Sequence, residues 1–144
     1  EYFCHEKSSP YMLLVAPVND QIRNKEPKSY NILPMKERLY HERSSLPAIT
    51  HVDYSARLQT INQSTNRIFH DLLMLFQKRT SCSVLVNTSF NVRGEPIVCS
   101  ADDAYRCFMR TEMDILVVGN YIFYKQDQPN WEESDNWKVN FTLD

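Results

Sequence analysis

Glycine is almost missing from this chain: Gly94 and Gly119 are the only two in 144 residues. That excludes a glycine-rich phosphate loop of the Walker or dinucleotide type, where several glycines must stand close together. An excess of charge of either sign is also lacking. Sixteen Lys and Arg face eighteen Asp and Glu, for a net charge of −2, which gives no electrostatic footprint for nucleic acid or an anionic membrane. No apolar run approaches the roughly 20 residues needed to cross a bilayer. Cys4, Cys82, Cys99 and Cys107 form no Cys-x-x-Cys pair, and no metal-ligand spacing links His5, His41 and His70. The thiols beside apolar runs (Cys82, Cys99, Cys107) read first as buried small hydrophobes, with zinc or disulfide as the lesser readings. No signal peptide is present, so a reducing, cytoplasmic setting is the expectation. The sequons at Asn62, Asn87 and Asn140 would matter only in a secreted protein.

What is present is ordinary globular usage, 42% hydrophobic and 24% charged, in a chain of about one domain. Glu1–Cys4 reads as the tail of a helix, which Ser9-Pro10 breaks. Tyr11–Pro17 is apolar and bounded by prolines, hence a strand. Residues 18–45 are polar and rich in turn formers, and predict a long, mobile surface excursion with one helical turn near Lys36–Tyr40. Ala48–Ile61 looks extended. Ser64 is placed to cap a helix over Asn66–Arg79, whose apolar positions (Ile68, Phe69, Leu72, Leu73, Leu75, Phe76) share one face. Val84–Val86 and Ile97–Val98 read as strands, with Arg93-Gly94-Glu95-Pro96 turning the chain between them. Ser100-Ala101-Asp102-Asp103 is a capping box with Asp in place of Glu, opening a helix to Thr111. Gly119-Asn120 joins Ile115–Val118 to Tyr121–Tyr124 as a hairpin. The alternation predicts an α/β domain with a mixed twisted sheet flanked by helices. Residues 126–144 form a polar tail with Trp131 and Trp137.

Two segments carry residue types suited to chemistry. Asn87-Thr88-Ser89-Phe90-Asn91 lies just past the end of an apolar strand, where open α/β sheets bind ligands. Its amides and hydroxyls suit an oxyanion or nucleotide; they equally suit a polar turn leaving a strand. In Thr50–Gln59, strand periodicity puts His51, Asp53, Ser55, Arg57 and Gln59 on one face. Arg57 offers a planar fork for phosphate, and His51 with Asp53 has the makings of a general-base dyad. The bland reading is a solvated face with an Asp53–Arg57 ion pair. Arg93 and Glu95 read first as turn residues, with a ligand role for either as the lesser reading. Arg106 and Arg110 read as surface cations near a helix end. No residue is assigned a catalytic role.

Four ordered blocks then combine: Ser9-Pro10-Tyr11-Met12-Leu13; Pro47-Ala48-Ile49-Thr50-His51-Val52-Asp53 running into Ser55-Ala56-Arg57-Leu58-Gln59-Thr60; Asn87-Thr88-Ser89-Phe90-Asn91; and Gly94-Glu95-Pro96-Ile97-Val98. Across residues 1–125 the chain resembles the carbamoyltransferases of the NodU/CmcH type, which decorate nodulation signals and antibiotics. The resemblance implies part of a YrdC-like domain that turns carbamoyl phosphate and ATP, with Mg²⁺, into carbamoyl adenylate. It implies a partner domain of the ASKHA kinase type, N-terminal in the same protein and holding a metal site, that passes the carbamoyl group to an acceptor hydroxyl. It makes Ser89-Phe90-Asn91 the counterpart of a nucleotide-binding Ser-x-Asn element. It assigns Arg57, Asn87, Thr88, Ser89 and Asn91 to ATP or carbamoyl phosphate, and His51, Asp53 and Ser55 to substrate. Tyr54 and Ser81 depart from the family, which often has Gly at both, and Tyr54 is expected to narrow the pocket beside Arg57. The family's upstream segment, rich in Arg, Gly and Pro, is not in this sequence. The rival reading is a nucleotide- or anion-binding module without chemistry.

Overall fold

In the computed structural model, which describes residues 1–132, the chain divides into two compact units, Glu1–Val86 and Asn87–Asp144. The first is built on an antiparallel pair, β1 (Leu14–Pro17) and β2 (Ser55–Leu58), with Val15 opposite Arg57 and Ala16 opposite Ala56. Alternation along the strands sorts the side chains. Ala16, Ala56 and Leu58 turn inward to Val18, and Phe3, Ile22 and Ile49 pack around them. Ser55 and Arg57 stand on the other face.

The first residues are not the end of a helix. Phe3 bridges Val18 antiparallel, and Cys4 N–H donates to the Pro17 carbonyl at 2.9 Å. Backbone groups beside a strand edge take ladder partners there. The excursion 18–45 is organised rather than loose. It contains 3₁₀ turns at Asp20–Ile22 and Tyr30–Ile32 and one short helix, α1 (Met35–Leu39). Its neck is closed by Asn24 N–H to the Arg43 carbonyl (2.8 Å) and Ser45 N–H to the Ile22 carbonyl (2.9 Å). Arg43, 6% exposed, donates to the His41 and Arg38 carbonyls and to the Tyr30 hydroxyl. One guanidinium thus replaces the apolar core the excursion lacks.

The long helix α2 runs over Arg67–Thr80. Asn66, not Ser64, caps it, its Oδ1 accepting from Phe69 N–H at 3.1 Å. Ser64 is held instead in a turn by Asn62 Oδ1. None of the helix's residues is buried, and Ile68, Leu72 and Leu75 on the expected inner face are exposed. Val84–Val86 is not a strand, because no ladder forms along it among the described residues.

In the second unit the local signals succeed. Helix α3 (Ala101–Arg110) opens with the reciprocal capping box of Ser100 and Asp103. Strands β3 (Ile115–Val118) and β4 (Tyr121–Tyr124) form a hairpin through Gly119, whose φ of +57° suits a two-residue turn. Space does not demand glycine there, since a Cβ would meet nothing within 4 Å; conformation does. Ala104 and Phe108 pack on Leu116, with Phe90, Val98 and Phe123 around them. Lys125 Nζ donates to the Phe108 and Thr111 carbonyls at the end of α3 and lies 4.0 Å from the Phe108 ring. Ile97–Val98 contributes a single ladder-like bond, Val98 N–H to the Phe90 carbonyl at 2.9 Å. The chain is therefore a small α/β structure with two antiparallel pairs among the described residues, where the sequence suggested one mixed sheet. Trp131 meets Tyr105 edge-on; Trp137 and the rest of the expected tail lie outside the described residues.

Candidate functional site

Strand periodicity does not bring His51, Asp53 and Ser55 together; a tight turn does. His51 N–H donates to the Ser55 carbonyl at 2.7 Å and Tyr54 N–H to the His51 carbonyl at 3.1 Å, with Tyr54 at φ +62°. The turn folds three side chains into one chain of hydrogen bonds. Asp53 Oδ1 accepts from Ser55 N–H at 3.0 Å and from the Ser55 hydroxyl at 2.6 Å, and His51 Nδ1 lies 2.9 Å from that hydroxyl. Asp53 is held below the usual carboxylate range, first by the Ser55 hydroxyl and then by the Ser55 amide. The expected His51–Asp53 dyad is thus interrupted, because Ser55 stands between them.

Asp53 is occupied by Ser55, and no Asp53–Arg57 ion pair forms among the described residues. Arg57 lies exposed on β2, two residues from Ser55 and on the same face. Its fork makes no hydrogen bond among the described residues. Gln59 is turned aside, donating to the Pro10 carbonyl at 2.9 Å. Beyond it a cavity of about 250 Å³ is lined in part by Tyr2, His5, Gln59 and Thr60. The Tyr54 ring meets Arg23, whose guanidinium sits 5.5 Å from the ring centroid, and Glu26.

In the second unit, Asn87, Thr88 and Ser89 are exposed and Asn91 is half-buried. Asn91 Nδ2 donates to the Val92 and Glu95 carbonyls at 3.2 and 3.0 Å. These bonds close the turn that follows Asn91, and the hydroxyls of Thr88 and Ser89 make no hydrogen bond among the described residues. The turn that follows has Glu95 N–H on the Val92 carbonyl and Gly94 at φ +88°, as a type II turn requires. Arg93 is exposed on it.

Arg110 is not the surface cation the sequence suggested. It pairs with Glu95, and the two side chains are only 11% and 9% exposed. They form one wall of a cavity of about 390 Å³, shared with Cys99, Arg106 and Cys107. The sequence hid this pair because its members lie 15 residues apart. Burial and the nearby Glu95 carboxylate push the Cys107 thiol up, away from the reactive thiolate. Cys99, expected to be buried, is exposed. Among the described residues no group of three or more His, Cys, Asp or Glu could hold a metal ion, and no helix is long and apolar enough to cross a membrane.

The sequence model for the carbamoyltransferase C-terminus matches residues 1–125. Uncharacterized protein sll1178 of Synechocystis sp. is 52% identical over all 144 residues, which cover 23% of that protein. Nodulation protein NolO of Bradyrhizobium diazoefficiens is 51% identical over 81 residues, 56% of this chain and 15% of NolO. The 3'-hydroxymethylcephem-O-carbamoyltransferase of Streptomyces clavuligerus is 37% identical over 83 residues, 58% of this chain and 16% of that enzyme. The chain thus spans less than a quarter of the length of these relatives. With 125 residues matched in order, it belongs to the carbamoyltransferase C-terminus family.

Proposed function

We propose that this chain is the C-terminal portion of an ATP-dependent O-carbamoyltransferase. In this reading its domain is YrdC-like and forms carbamoyl adenylate in two steps: water releases phosphate from carbamoyl phosphate to leave carbamate, and a carbamate oxygen attacks the α-phosphorus of ATP and expels pyrophosphate. An ASKHA-type N-terminal domain of the same cytoplasmic protein then delivers the carbamoyl group to an acceptor hydroxyl. Two relatives carry O-carbamoyltransferase in their names, which supports the reaction class.

The observation that carries the site is the state of Arg57. A surface arginine beside an aspartate ordinarily makes an ion pair. Here the aspartate's Oδ1 accepts from Ser55, and the exposed guanidinium makes no hydrogen bond or ion pair among the described residues. That is a fork set for the phosphate of carbamoyl phosphate or ATP. In the second unit taken by itself, the exposed Thr88 and Ser89 present uncharged hydroxyl donors suited to nucleotide oxygens. Mg²⁺ would arrive on the ATP, held by phosphates and water rather than by a cage of protein carboxylates. The chain's own contribution is to bind and orient phosphate and to exclude wrong geometry, which is most of what phosphate chemistry asks of a protein.

Calorimetric titration of the full-length protein with carbamoyl phosphate and with ATP tests this. Arg57→Ala should weaken one or both by about 1.5–3 kcal/mol, roughly 10- to 150-fold. Unchanged affinity for both would remove Arg57 from the site.

A further inference from the structure

A serine hydroxyl has a single proton to give. At Ser55 two neighbours compete for it: Asp53 Oδ1 at 2.6 Å and His51 Nδ1 at 2.9 Å. The shorter contact has the length of a charge-assisted O–H···O⁻ bond. Turning the proton to His51 would leave a carboxylate oxygen facing hydroxyl lone pairs at 2.6 Å, a repulsive arrangement. The proton therefore goes to Asp53, and the Ser55 oxygen becomes an acceptor toward the imidazole. The neutral His51 ring must then carry its proton on Nδ1, and its Nε2 holds a lone pair. The His51 side chain is exposed, so that lone pair is offered outward beside the face that carries Arg57.

We infer that His51 Nε2 is a hydrogen-bond acceptor for a substrate amide N–H, with Asp53 and Ser55 as positioning residues that fix its tautomer. The inference rests on the carbamoyl phosphate reading above and makes it specific. Carbamoyl phosphate carries a phosphate and, two bonds from the bridging oxygen, an NH₂ donor. Arg57 suits the first. The imidazole lone pair, an acceptor offered outward, suits the second, while Asp53 Oδ1 already accepts twice from Ser55. Acetyl phosphate has the same size and charge but a methyl group in place of NH₂. A site that offers a lone pair there leaves it unpaired with the methyl compound, and rejects it.

Two measurements on the full-length protein decide this. The first is long-range ¹⁵N–¹H correlation of the His51 ring, which reports the tautomer directly. Nδ1–H is expected, with loss of that preference in Ser55→Ala; Nε2–H in the unaltered protein would overturn the inference. The second compares affinity for carbamoyl phosphate and acetyl phosphate. The protein should prefer the carbamoyl compound by about tenfold, equivalent to about 1.4 kcal/mol, and His51→Ala should bring the two within about twofold. Preference retained in His51→Ala would overturn the inference while leaving carbamoyl phosphate as ligand. Binding of neither compound would overturn the proposed function itself, and with it this extension.

Discussion

Tyr54 and Ser81 share one backbone conformation, with φ of +62° and +61°. The family resemblance leads one to expect Gly at both, so the two departures have a common physical meaning. A side chain in the left-handed region costs about 1–2 kcal/mol that glycine avoids. Glycine in turn loses about 0.4–1 kcal/mol through the freedom of its unfolded chain. Ser81 terminates α2, the position where left-handed glycine is commonest. Ser81→Gly should therefore raise unfolding stability by about 0.5–1 kcal/mol, measured by urea denaturation. At Tyr54 the same gain is offset, because the ring meets Arg23 and such contacts contribute about 0.5–1 kcal/mol. Tyr54→Gly should leave stability within about 0.5 kcal/mol of the unaltered chain. Equal gains at both positions would mean that the Tyr54 ring contributes nothing.

The capping box of α3 should be acid-sensitive. The Ser100 hydroxyl, 2.7 Å from Asp103 Oδ2, holds that carboxyl below its ordinary range. A depressed folded-state value means that the stabilisation is present above the unfolded value, about 3.9, and is lost as pH falls through the folded one. Ser100→Ala should cost about 1 kcal/mol at neutral pH, and less below pH ~4 as Asp103 protonates. A penalty independent of pH would show that the serine acts on the backbone alone.

Glu95 and Arg110 should behave as a buried pair. Removing one partner strands the other charge, which costs about 3–5 kcal/mol. Arg110→Met alone should destabilise by about 3 kcal/mol, whereas Arg110→Met with Glu95→Leu should recover most of the loss. Chemical denaturation of the single and double variants checks this, and additive losses would contradict it.

How much of this was legible beforehand follows from range. The Ser100–Asp103 cap and the Gly119-Asn120 hairpin are set by residues within four positions of each other, and both were readable. Val84–Val86 has strand composition, yet a strand exists only where a second strand supplies its ladder, and composition cannot show that. Arg110 reads as a surface cation because its partner lies 15 residues away in sequence. His51, Asp53 and Ser55 do meet, through a turn and not along a strand face. Period-two alternation suggested a shared face, while the turn that unites them is disguised by tyrosine at a position where glycine would have announced it. That Asp53 meets Ser55 and not Arg57 among the described residues follows from the turn at Tyr54, which no residue pattern announces.

Pyrophosphate release tests the central claim most directly. The full-length protein, given ATP, Mg²⁺ and carbamoyl phosphate, should release pyrophosphate only when carbamoyl phosphate is present, and at least tenfold more slowly in Arg57→Ala. The isolated 144-residue chain should release none above a no-protein control, because one guanidinium at about 1.5–3 kcal/mol falls well short of the ~8 kcal/mol that even modest enzymes draw on. Carbamoyl phosphate consumed by the full-length protein without pyrophosphate, or release by the isolated chain that Arg57→Ala abolishes, would contradict the account.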